Sequence, residues 1–92
     1  MVTIKKIVTN EVRLHARPAS IFVQNANRFN SKIEIKNIKS GKGPVNAKSI
    51  LSVLSLAVLN NSEVEITFDG EDELEASERL GELLDTDFKE KI

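Results

Sequence analysis

The chain has 92 residues, 40% of them hydrophobic and 29% charged, which suits one domain with one core and excludes both a disordered chain and a two-core protein. Its formal net charge of −1 gives no basic field to recruit nucleic acid, and no apolar run has the length of a membrane span or the look of a signal peptide. With no cysteine and a single histidine, disulfides, thiolate metal sites and histidine-based metal sites are not expected, in keeping with a cytoplasmic protein.

Val2 to Thr9 mixes Val, Ile and Thr with lysines and predicts a strand, although Lys5 and Lys6 interrupt its alternation. Asn10-Glu11-Val12-Arg13 is the turn that follows. Ala19, Phe22, Val23 and Ala26, with Phe29 one turn on, then carry the spacing of an amphipathic helix. Pro18 is tolerated only in a first turn, where its missing N–H has no intrahelical partner, so the helix should begin near Ala16 and run to about Asn27 or Phe29. His15 therefore stands at the helix N-terminus.

That position has chemical consequences. The first N–H groups of a helix lack internal partners and carry partial positive charge, which makes an anion site and favours neutral, nucleophilic imidazole. Arg17 adds a guanidinium suited to phosphate oxygens. A nucleophilic nitrogen, an oxyanion cradle and a phosphate-seeking cation converge within three residues, as a transferable phosphoryl group requires. Alone, a histidine in such a place is more often a cap or a loop residue.

Lys32-Ile33-Glu34-Ile35-Lys36 alternates, with Ile33 and Ile35 facing a core. Gly41-Lys42-Gly43-Pro44 reads as a turn and Val45-Asn46 as a short returning strand, together an antiparallel hairpin. Ser49 to about Leu59 predicts a second helix. Ile50, Val53, Leu54, Ala57 and Val58 form one stripe, but Leu51 and Leu56 fall off it, so apolar surface should remain exposed as a docking patch. Ser49 is placed as the N-cap. Asn60-Asn61-Ser62 is a turn, and Glu63 to Phe68 is a strand with Val64, Ile66 and Phe68 inward. Asp69-Gly70 ends it, and Glu71-Asp72-Glu73 complements the dipole of a third helix buried through Ala76, Leu80, Leu83 and Leu84. Asp87 to Ile92 is expected to be a loosely held tail. The order βαββαβα implies an α+β open-faced sandwich: one four-stranded antiparallel sheet with three helices on one face.

Leu14-His15-Ala16-Arg17-Pro18-Ala19-Ser20 resembles the active-site signature of the phosphocarrier HPr family. Val45-Asn46-Ala47-Lys48-Ser49-Ile50-Leu51-Ser52-Val53-Leu54-Ser55-Leu56 resembles its second signature. Both occur in order, and the resemblance spans essentially the whole chain as a single domain of the same sandwich fold. It implies that His15 accepts a phosphoryl group from phospho-enzyme I through its δ1 nitrogen and passes it to the IIA domain of a sugar permease. The chain would thus be a stoichiometric carrier, not a turnover enzyme, with no cofactor or metal. The Ala16 and Arg17 N–H groups and the Arg17 side chain would hold the phosphate. Ser20, Lys48, Ile50, Leu51 and Leu54 would form the partner interface of a monomer. In some family members the serine matching Ser49 is phosphorylated by HPr kinase/phosphorylase, and the product binds a catabolite-control transcription regulator.

Four departures from the family pattern stand out. Arg13 replaces a common glycine, as do Ser52 and Ala57, and the hairpin turn is a few residues longer than in the family. A regulatory paralogue acting through Ser49 is the nearest rival, although such paralogues can replace the histidine that is present here. An acylphosphatase-like hydrolase would need a loop cradle with arginine and asparagine, which has no match outside the His15 loop. An RNA-binding sheet is disfavoured by only four phenylalanines, no Tyr or Trp and balanced charge.

Overall fold

Strands and helices here follow from two periodicities: side chains alternate across a strand, and recur every three to four residues along a helix. The structure is a computed structural model and describes residues 1–8, 16–56 and 62–85. Among these, β1 (Val2–Val8), β2 (Lys32–Asn37), β3 (Lys42–Asn46) and β4 (Ser62–Asp69) form one antiparallel sheet in the spatial order β1-β4-β2-β3. Helices α1 (Ala16–Ala26), α2 (Ile50–Ser55) and α3 (Glu73–Asp85) complete the expected βαββαβα order. α3 packs on β1 and β4, α2 on β3, and α1 against both other helices.

The strand register lines the inward side chains into rows. Val2, Phe68 and Ile33 form one row, and Ile4, Ile66, Ile35 and Val45 the next. The helices meet these rows with Ala19, Phe22, Val23 and Ala26 from α1, Val53 from α2, and Ala76, Leu80, Leu83 and Leu84 from α3, all buried. Each large side chain taken from water contributes roughly 1.5–3 kcal/mol. On the other face, Lys5 and Lys36 flank Glu65 in register, so opposite charges alternate across the solvated side.

Several expectations are corrected. β3 begins at Lys42, so Gly43 and Pro44 belong to a strand. The register slips between Ile35 and Asn37, an irregularity that accommodates them, and Pro44 is tolerated because β3 is an edge. Gly43 has φ 100°, and a Cβ there would lie 3.0 Å from the Ile35 carbonyl oxygen, so glycine is required where the strand crosses β2 closely. α3 begins at Glu73, two residues later than its acidic lead-in suggests, whereas α2 begins at Ile50, directly after its expected cap Ser49. Leu56, placed off the buried stripe of the second helix, is 1% exposed: the chain tightens after Ser55 through a Leu56 N–H to Val53 carbonyl bond and turns the side chain inward. Thr9, the 10–13 turn, Ala57, Val58, Leu59, Asn60, Asn61 and the 87–92 tail lie outside the described residues.

The acidic lead-in to α3 does more than complement a dipole. Both Asp72 carboxylate oxygens accept backbone N–H groups from the turn after α1: Oδ2 from Asn30 at 2.8 Å and Oδ1 from Ser31 at 2.9 Å. The Ser31 hydroxyl also donates to Oδ1. The Ser31 hydroxyl first, and then the Asn30 N–H, hold the Asp72 carboxyl below its ordinary value of 3.8. Glu73 caps the Gly70 N–H at 3.1 Å and pairs with the Met1 ammonium at 3.0 Å, and both lower its carboxyl from 4.5. The α1–β2 and β4–α3 connections are thereby bonded at one end of the sheet.

A depressed folded value means that Asp72 stabilises the fold above about pH 4 and loses that contribution as pH falls through its folded value. Asp72→Asn should lower the thermal midpoint at pH 7, and the gap to the wild type should close in acid scans. Gly70→Ala should cost roughly 1–3 kcal/mol in urea unfolding, because its Cβ would lie 2.7 Å from Ser31 Cα.

Candidate functional site

The N-terminus of α1 follows from Pro18. With the helix starting at Ala16, Pro18 is its third residue, within the turn whose N–H groups have no i−4 acceptor inside the helix. Proline removes one of those donors, and the N–H groups of Ala16 and Arg17 are left side by side. The first turn of α1 carries no acidic residue, so no carboxylate of that turn competes for these donors. His15 lies outside the described residues, as do the side chains of Ala16, Arg17 and Pro18. In sequence, the Ala16 and Arg17 donors directly follow the histidine. Ala19, buried, anchors the same turn on the core, and Ser20, half-buried, accepts a 3.4 Å bond from Gln24 Nε2.

The second signature folds into a short helix held at both ends by other elements. Six residues are too few for a helix to be stable by its own hydrogen bonds. At its start, Asn27 Nδ2 donates to the Val23 carbonyl at 2.9 Å and to the Lys48 carbonyl at 3.1 Å. Lys48 Nζ returns a 2.7 Å bond to the Phe29 carbonyl. Ser49 takes extended backbone angles of φ −113° and ψ 118°, and its hydroxyl caps the Ser52 N–H at 3.4 Å, as expected of an N-cap. At the other end, buried Asn37 donates from Nδ2 to the Leu56 carbonyl at 3.1 Å.

Of the residues assigned to a partner interface, Leu51 is 77% exposed, whereas Ile50 and Leu54 are half-buried against the core. Lys48 Nζ is tied to the Phe29 carbonyl, which fixes where its charge stands rather than leaving it to swing towards a partner. The apolar surface of α2 is thus one projecting leucine on a half-buried base, narrower than the sequence suggests. Asn27 and Asn37 are missed by sequence reasoning. Their partners lie 21 and 19 positions away, and no local pattern marks such contacts.

The two signatures are related through the sheet. β1 ends at Val8 opposite Ser62, the start of β4. The far end of α1 is bonded to Asp72 beside the opposite end of β4. α1 therefore starts at the end of the sheet where β1 finishes, β2 turns into β3, and Asn37 holds the close of α2. Among the described residues no group of His, Asp or Glu is arranged to hold a metal ion, and no helix is long and apolar enough to cross a membrane.

The family model for the PTS HPr component phosphorylation site matches residues 2–86. The HPr-like protein Crh of Bacillus subtilis is 50% identical over 80 residues, covering 87% of this chain and 91% of Crh. HPr-C-His from Thermoanaerobacter tengcongensis superposes with a TM-score of 0.89 at 37% identity, covering 100% of both chains. The 1.8 Å crystal structure of Bacillus subtilis Crh, a domain-swapped dimer, has a TM-score of 0.71 at 46% identity and covers 94% of this chain and 95% of that one.

Ser49→Ala should cost about 1 kcal/mol in urea unfolding through loss of the cap, and Ser49→Asp should retain most of it, because a carboxylate can accept the same N–H.

Proposed function

The chain belongs to the HPr family of phosphocarriers, and on that premise we propose that it carries a phosphoryl group on His15 between phospho-enzyme I and the IIA domains of sugar permeases. The supporting observation is the start of α1 at Ala16 with Pro18 in its first turn, which puts two N–H groups without an acceptor inside the helix directly after the histidine. In this reading the His15 δ1 nitrogen attacks phosphorus, the bond from phosphorus to the donor breaks, and the donor leaves with its electron pair. The Ala16 and Arg17 N–H groups and the Arg17 guanidinium take the charge of the phosphoryl oxygens. Such transfer needs alignment and charge compensation more than covalent help from the protein. Leu51, with Ser20, Lys48, Ile50 and Leu54 around it, offers the docking surface, and the chain works as a single HPr-like domain and a monomer without cofactor or metal.

A second reading is supported by the 50% identity to Bacillus subtilis Crh, itself described as a catabolite repression protein. There, phosphorylation of Ser49 by HPr kinase/phosphorylase would prepare the chain to bind a catabolite-control transcription regulator. A phosphoserine at this cap gains from the start of α2 and sets negative charge beside Leu51. His15, Arg17 and Pro18 together favour transfer as the primary activity.

Incubation with enzyme I, magnesium and phosphoenolpyruvate should give an acid-labile, base-stable adduct on the His15 ring, seen by mass spectrometry and phosphorus NMR and absent from His15→Ala. Arg17→Ala should slow exchange about tenfold or more with an unchanged unfolding midpoint. A comparable loss of stability would remove Arg17 from the phosphate site. Under HPr kinase and ATP, a stable phosphate mapped to Ser49 would support the second reading, and no modification there would eliminate it.

A further inference from the structure

Between Glu34 and Glu63 the chain contains no acidic residue, yet it carries Lys36, Lys39, Lys42 and Lys48. Lys48 is bonded to the Phe29 carbonyl, and Lys36 faces Glu65 in register. Lys39 and Lys42 are different. Both are exposed on the lengthened tip of the β2–β3 hairpin, and neither forms an ion pair with a described carboxylate.

The tip is a built loop. Asn37 is 3% exposed, and its Oδ1 accepts the Ser40 N–H at 3.3 Å while its carbonyl accepts Gly41 at 2.9 Å. The Ser40 hydroxyl takes the Lys42 N–H at 3.3 Å, and the Ile38 N–H reaches the Glu63 carbonyl at 3.0 Å. Gly41, at φ 76° with open space where a Cβ would be, makes the turn. Asn37 also ties the tip to the last carbonyl of α2. Two unpaired ammonium groups thus stand on a fixed support, at the end of the sheet where α1 begins.

We infer that the hairpin tip, through Lys39 and Lys42, is an auxiliary docking arm that captures an acidic patch on the protein exchanging phosphoryl groups with His15. This rests on the proposed function, which puts that partner at the N-terminus of α1. Preorganised charges at a contact rim speed encounter more than they tighten the final complex, and their effect falls as salt rises. An acidic protein is favoured over nucleic acid because the net charge is −1 and the tip carries no aromatic side chain for stacking.

The test measures the second-order rate of phosphoryl transfer from phosphorylated enzyme I to the wild type, Lys39→Glu and Lys32→Glu. Lys32 stands opposite Asp69 in the strand register at the other end of the sheet, with its ammonium 4.0 Å from Glu34, and both variants change net charge equally. Lys39→Glu should be about threefold to tenfold slower than Lys32→Glu at low salt. That difference should vanish at high salt, with the single-turnover rate of the preformed complex unchanged. Equal rates for the two variants, with the wild type accepting phosphate, would overturn the docking arm alone. No transfer to the wild type would remove the carrier reading and the arm together. Binding of a labelled DNA duplex that Lys39→Glu abolishes would overturn the assignment of an acidic protein as occupant.

Discussion

β4 is hydrogen-bonded to β1 on one side and β2 on the other, although it is the last strand in the chain. Its inward residues Val64, Ile66 and Phe68 are each 0% exposed, and the rows of the core run through them. Until this strand inserts, β1 and the β2–β3 hairpin have no common neighbour in the sheet. Its two ends also organise the surface. One end carries Asp72 and the bonds that fasten the close of α1, and the other gathers the start of α1, the hairpin tip and the close of α2. The placement of the start of α1 at that end therefore depends on a pairing made far away in sequence.

Side-chain amides and one carboxylate take over where helices are too short to hold themselves. α2 has six residues, and Asn27 and Asn37 secure its two ends from outside. Each amide saturates a main-chain carbonyl that would otherwise lack a partner, the situation at any helix end or turn. No buried side-chain nitrogen or oxygen among the described residues lacks a hydrogen bond. The same economy explains Lys48: a residue whose charge suggests partner binding serves first to tie α2 to the turn after α1. Charge available for recognition is left to groups that the fold does not employ internally.

The start of α1 shows how a structural demand can become a chemical capacity. Pro18 is compatible with the first turn because it lacks an N–H, and its position leaves adjacent donors on Ala16 and Arg17. The requirement of the helix to have its first donors satisfied from outside becomes the capacity to bind an anion.

The amino-acid order alone was sufficient for the element types and the inward faces of β2, β4, α1 and α3. Those properties are local: Ile33 and Ile35, Val64 to Phe68, and Ala76 to Leu84 declare their faces by period, and Pro18 declares a helix start by its missing donor. Only the tertiary structure decided that Gly43 and Pro44 lie within a strand, that Leu56 enters the core while Leu51 stays out, and that Asp72, Asn27 and Asn37 bind backbone groups of distant segments. Each of these depends on which segment arrives alongside, and the chain's own periodicity carries no record of that approach.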